Sequence, residues 1–125
     1  MRALAKEWWN KAEDDLYSAG LLLRAGEIPM PGNSCFHSQQ CAEKYLKGFL
    51  TEYEVDFPRT HQLMVLVELC TAIDPSFGEI SRLARRLEGY AVSVRYPGVA
   101  IGVDAAEKAL QTASNIRDFV RSKLD

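Results

Sequence analysis

Apolar residues recur every three or four positions along almost the whole chain, the spacing of one face of an α-helix. From Leu4 to Ala25 the series is Trp8, Ala12, Leu16, Ala19 and Leu22–Leu23, which predicts a first helix with Gly26 as its C-cap. Pro29, Pro31 and Gly32 predict a loop, and Asn33 or Ser34 would cap a second helix running to about Glu54. Thr60, after Pro58 and Arg59, predicts the N-cap of a short third helix through Ala72. Asp74-Pro75 pairs a capping residue with proline at the first helical position and opens a fourth helix. That helix carries Ile80, Leu83, Leu87, Tyr90 and Val94 until Pro97 disfavours helical geometry at Tyr96. Asp104-Ala105-Ala106-Glu107 reads as a capping box with Asp as the cap. It starts a last helix on Ala106, Leu110, Ala113, Ile116 and Val120. No alternating strand pattern and no internal repeat interrupts the series. The pattern predicts an all-α fold, an antiparallel up-down bundle of five helices, in a single domain over residues 1–125.

The second helix breaks its own pattern. At roughly 100° per residue, Ala42, Tyr45, Leu46, Phe49, Leu50 and Tyr53 share one side. Gln39 nevertheless falls between Leu46 and Leu50, and Glu43 between Leu50 and Phe36. A buried carboxylate is costly unless it is paired and hydrogen-bonded. Gln39 and Glu43 therefore predict a polar partner, within the chain or across an interface. Arg95, where the fourth helix stops beside Pro97-Gly98, is the expected one. A carboxylate–guanidinium pair would fix Arg95 with its remaining donors toward a phosphate. His37, Gln40, Lys44, Lys47 and Thr51 lie opposite the apolar arc, the position of a solvated face. Their functional alternative is a basic strip for phosphates. On the solvated reading, loss of Lys47 costs roughly 0.5 kcal/mol or less.

Composition narrows the class. An apolar fraction of 47% over 125 residues suits one globular domain, and no apolar run approaches the roughly 20 residues that span a bilayer. The first residues lack the apolar core and cleavage site of a secretory signal. Cys35, Cys41 and Cys70 are an odd set without a CxxC pair, which suits reduced thiols and a cytoplasmic location. A formal charge of −2 argues against a strong nonspecific polyanion binder but leaves room for a local basic site. His37 and Cys41 are one helical turn apart, yet no second pair completes a tetrahedral set, so neither a metal nor a cofactor is expected. Trp8 and Trp9 cannot both face one core, so one should meet a partner or stay exposed. Arg82, Arg85 and Arg86 are most simply a solvated face, with nucleic-acid contact as the minority reading.

The run Phe36-His37-Ser38-Gln39-Gln40-Cys41-Ala42-Glu43-Lys44-Tyr45-Leu46-Lys47 resembles the FHxQQxAEKxLK signature of HEPN domains. Arg59-Thr60-His61-Gln62-Leu63 resembles the family's RTHDL segment, with Gln in place of Asp. Tyr90 followed by Arg95-Tyr96-Pro97-Gly98 resembles its Tyr…ARYPG segment. The resemblance covers nearly the whole chain and implies a small helical nucleotide- or RNA-binding module. It raises Arg59 and His61 as residues bordering a cleft, alongside Arg95 and Tyr96. It also implies a homodimer, and a partnership with a separately encoded minimal nucleotidyltransferase in a toxin–antitoxin-like pair.

Ribonucleases of this superfamily are similar to one another in an Arg-x(4–6)-His motif. After Arg95 this chain reads Tyr96-Pro97-Gly98-Val99-Ala100-Ile101-Gly102, and both histidines precede the arginine. No catalytic residue is therefore assigned, and the expected function is binding without hydrolysis. Two alternatives remain open: a divergent metal-independent ribonuclease toxin using Arg95 with His37 or His61, and a purely structural helical dimer.

Overall fold

The computed structural model describes residues 1–24, 28–94, 97, 98 and 100–124. Five α-helices follow one another: α1 (Ala3–Arg24), α2 (Pro31–Glu52), α3 (Leu63–Ile73), α4 (Ser81–Val94) and α5 (Val103–Leu124). A 3-10 turn, Pro75–Ile80, leads into α4, and no strand occurs among the described residues. The all-α expectation holds, and the helical period in the sequence is its cause.

Contacts down the α1–α2 interface fix its direction. Ser34 Oγ donates to the carbonyl of Ala19, His37 meets Asp15, and Arg2 reaches Glu52. Rising numbers in α2 meet falling numbers in α1, so the two helices form an antiparallel hairpin. Small residues let them close up: Ala5, Ala12, Ala19 and Gly20 are buried on α1, and Gly48 is buried on α2. Helix α5 returns antiparallel to α1, with Arg117 at Glu13 and Arg121 over the Trp9 ring.

Helix α2 is the axis of the domain and packs against α1, α3, α4 and α5. Between Ser38 and Leu50 only Gln40 and Lys44 keep partial exposure. The core gathers around its Tyr45, Leu46, Phe49 and Leu50, with the Phe77 ring tilted 4.5 Å from that of Phe49 and edge-to-face 5.1 Å from that of Phe119.

Several boundaries move from their predicted places. Helix α2 begins at Pro31, not at Asn33 or Ser34, because proline at the first helical position needs no amide bond and Ser34 is engaged with Ala19. It ends with Glu54 in the left-handed region (φ 56°) and with the Val55 amide donating to the Leu50 carbonyl, a Schellman-type stop. Thr60 does not cap α3; its Oγ1 accepts from the Gln62 amide, and the helix starts at Leu63. Asp104 lies inside the first turn of α5, where it favours the helix dipole without capping. Asp74 does cap, accepting from the amide of Ser76 at 3.0 Å, but what it caps is the 3-10 turn Pro75–Ile80, and α4 itself starts six residues later than predicted, at Ser81. The predicted C-cap Gly26 lies outside the described residues.

Candidate functional site

The segment between α2 and α3 turns back along α2 and delivers His61 to the polar positions in its apolar arc. Gln39 Nε2 donates to the His61 carbonyl at 2.8 Å. Glu43 Oε1 lies 2.9 Å from His61 Nδ1, and its Oε2 accepts from Lys47 Nζ at 3.0 Å. Gln39 and Glu43 are buried, at 2% and 3% exposure. Within the described residues the polar partners of this pair are thus His61 and Lys47. Arg95, the partner expected from sequence, lies outside the described residues, as does Tyr96.

An ionised carboxylate can only accept, so the His61 hydrogen sits on Nδ1 and Nε2 is left for solvent. The imidazole side chain is 63% exposed although its anchor is buried. Arg59, two residues earlier, is also exposed and has no ion-pair partner among the described residues. The start of α3 is held in turn by α4, whose Glu88 Oε1 accepts from the Met64 amide at 3.4 Å. This contact satisfies one of the amides that a helix N-terminus leaves unpaired.

Lys47 is not on a solvated face. It is 7% exposed, its ammonium lying 5.6 Å from the Trp8 ring centroid and 5.7 Å from that of Phe57. Of the stripe expected to face water, His37 and Lys44 are drawn to Asp15 of α1 and Lys47 is covered by Trp8 and Phe57, while Gln40 and Thr51 keep partial exposure. Trp9 takes the core position and Trp8 packs edge-on against Phe57, which resolves the tandem tryptophans.

A second set repeats the first. Asp15 of α1 takes His37 Nδ1 on Oδ1 at 2.8 Å and Lys44 Nζ on Oδ2. Both histidines of the chain are therefore pinned through Nδ1 to a carboxylate that also holds a lysine. Sequence reasoning missed Asp15, although it interrupts the buried series Ala5, Trp9, Ala12 and Ala19 just as Glu43 interrupts its own.

Chemistry by thiol is disfavoured. Burial pushes the Cys35 thiol up to about 11, and raises Cys41 and Cys70 further. No group of three or more His, Cys, Asp or Glu side chains that could hold a metal occurs among the described residues.

A third junction ties α1, α2 and α5 together. Arg117 grips Glu13 with two bonds, Nε to Oε2 at 2.7 Å and Nη2 to Oε1 at 3.0 Å, and Tyr45 donates to Oε2 at 2.6 Å. The Arg117 hydrogen bond holds the Glu13 carboxyl below its usual range. Burial, with the bond to Glu13, pushes the Tyr45 phenol well up. A depressed carboxylate stabilises the fold above its ordinary value of about 4.3 and loses that contribution as pH falls through the folded value. The melting-temperature gap between the parent and Glu13→Gln should therefore shrink as pH drops below about 4. A gap that stays constant down the acid limb would show that Glu13 is not linked in this way.

A model of the HEPN domain family matches residues 5–123. A protein of Methanocaldococcus jannaschii named "Putative toxin MJ1304" is 31% identical over 142 aligned positions, covering 95% of this chain and 90% of that one. The crystal structure of TT1696 from Thermus thermophilus matches with a TM-score of 0.76 and 27% identity, over 96% of this chain and 98% of its own. ST0689, described as an archaeal HEPN homologue, matches with a TM-score of 0.77 and 26% identity, over 100% of both chains. With sequence, family model and fold in agreement along nearly its full length, this chain belongs to the HEPN domain family.

Proposed function

We propose that the chain is the HEPN member of a toxin–antitoxin-like pair, and that it binds a nucleotide or RNA phosphate without hydrolysing it. The site is the corner where Arg59 and His61 enter α3. The observation that carries this reading is the Glu43–His61 pair, in which a buried carboxylate fixes an exposed imidazole two residues after the exposed Arg59. Protonated, such a ring donates to a phosphate; neutral, its Nε2 accepts from a hydroxyl. Arg95 and Tyr96 belong to the same proposal through the RYPG-like segment. His37, Lys44 and Lys47 now support it less directly, since their polar groups are engaged with Asp15 and Glu43.

The name of the Methanocaldococcus relative supports the toxin-like side, and the family resemblance supports a minimal nucleotidyltransferase as the partner. Homodimerisation is supported by an exposed stripe on α1 of Asp14, Tyr17, Leu21 and Arg24, with Tyr17 at 70% and Leu21 at 44% exposure. In an antiparallel α1–α1 pair across a two-fold axis, Tyr17 would meet Leu21 and Asp14 would meet Arg24. Light scattering tests this directly: a dimer is expected at micromolar concentration, and a monomer that does not shift on concentrating would refute it.

A divergent metal-independent ribonuclease is the second reading. The same Glu43–His61 pair favours it, because a carboxylate-oriented imidazole with an open Nε2 is also how a general base is held. The absence of a histidine after Arg95 weighs the other way. Melting of the purified protein with a series of nucleoside phosphates separates the readings. A ligand that binds only the folded state at about 100 times its Kd stabilises it by about 2.7 kcal/mol. We expect a rise in melting temperature without turnover, diminished in Arg59→Gln. No response to any nucleotide or RNA, with a stable dimer, would leave the purely structural reading.

A further inference from the structure

Arg82, Arg85 and Arg86 of α4 are all exposed, and none has an ion-pair partner among the described residues. At about 100° per residue, they spread over an arc opposite the buried Ala84 and Leu87. Arg82 lies three and four positions before the other two, the spacing at which like charges on a helix repel. Two acidic side chains are near in sequence, and neither forms an ion pair with the three arginines. Glu79 is exposed, and Glu88 is turned to the Met64 amide. A chain of net charge −2 thus concentrates on one face three guanidinium groups that have no ion-pair partner among the described residues.

The Glu88–Met64 contact shows where this face leads. It joins α4 to the first turn of α3, immediately after Arg59 and His61, and Arg85 sits one turn before Glu88 on the adjoining stripe. We infer that Arg82, Arg85 and Arg86 form a track for the phosphate backbone of single-stranded RNA that runs on into the His61 corner. This inference rests on the proposed function and names the extended ligand of that site. RNA is favoured over an acidic protein by what the face lacks. Protein interfaces centre on a desolvated apolar core with charges at the rim. The exposed large apolar residues described in this chain lie on α1, α2, α5 and the loops beside them, and none lies on α3 or among the described side chains of α4, residues 81–90.

The test is binding of a fluorescent single-stranded RNA to the full chain across a salt series. The parent is compared with a triple variant, Arg82→Gln with Arg85→Gln and Arg86→Gln. Each phosphate contact on a single strand contributes about 0.7 to the slope of log K against log salt. The triple variant should lose at least tenfold in affinity, and its slope should shrink by about 2. The matching triple lysine variant should keep the slope. All three side chains are exposed, so the melting temperature should stay within a degree or two of the parent and serves as the folding control. RNA binding by the triple variant with the parent's affinity and slope would overturn the track and leave this face to a protein partner. Failure of the parent itself to bind RNA would overturn the underlying reading as well.

Discussion

Glu43→Ala should destabilise the fold by about 3 kcal/mol, the low end of the cost of breaking a buried ion pair. The carboxylate is 4% exposed at its side chain and holds Lys47 on one oxygen and His61 on the other. Removing it leaves the Lys47 ammonium buried against the Trp8 and Phe57 rings without its anionic partner. Ring faces compensate a desolvated cation by about 2 kcal/mol or more, which keeps the loss at the lower bound. His61 contributes less to the loss because its ring is mostly in water. Lys47→Ala should cost nearly as much, against the half kilocalorie that a solvated lysine would imply, since it strands Glu43. Glu43→Leu combined with Lys47→Met should recover most of the loss, because an apolar pair of similar volume carries no desolvation penalty. Parent-like denaturation midpoints for both single variants would show that the pair is not buried in solution.

Gly48→Ala should also destabilise, by about 2 kcal/mol, although alanine is the better helix former. A Cβ at this position would lie 2.5 Å from Trp9 Cδ1, 2.7 Å from Trp9 Nε1 and 3.2 Å from the Ala5 carbonyl oxygen. Trp9 is 4% exposed, with its ring 5.3 Å from that of Tyr45 and the Arg121 guanidinium over its face, so moving it disturbs both contacts, and the Ala5 contact involves the α1 backbone itself. Overpacking costs about 1–3 kcal/mol and sometimes more. Helix propensity returns about 1 kcal/mol, and the clash wins. Gly20→Ala reverses the sign. Among the described residues the atom near its Cβ is the Arg24 Nη1 at 3.3 Å, the far end of a flexible side chain. That variant should be stabilised by about 0.5 kcal/mol. If Gly48→Ala is stabilised in the way Gly20→Ala is expected to be, the close crossing of α1 and α2 at Gly48 is wrong.

The helices were legible because each needs only a repeating apolar stripe, and the chain supplies five. The caps were less legible, because a capping side chain can be claimed by another helix. Ser34 is the case in point, its hydroxyl spent on Ala19. Helical-wheel reasoning located Gln39 and Glu43 inside the apolar arc, which is where they are buried. It misplaced Lys47 because a wheel assumes one buried side, and α2 is covered by four other helices and the segment that follows it. The aromatic side chains of Trp8 and Phe57, from other parts of the chain, close over that lysine. Asp15 carried a readable signal, a charge within a buried series, but its meaning depends on which helix lies opposite. The pairing of Glu43 with His61 could not be read from spacing alone. It depends on the chain reversing at Glu54 and returning at His61 to lie beside Gln39.

On this reading the HEPN domain binds RNA phosphate at the Arg59–His61 corner and leaves the strand intact. Incubating metal-free protein with end-labelled single-stranded RNA, and resolving the mixture on native and denaturing gels, tests both halves at once. A retarded complex is expected on the native gel, weakened in Arg59→Gln and in His61→Ala, with full-length RNA on the denaturing gel. Cleavage that persists in EDTA and disappears in His61→Ala would contradict this, and would make the buried carboxylate of Glu43 the anchor of a catalytic base.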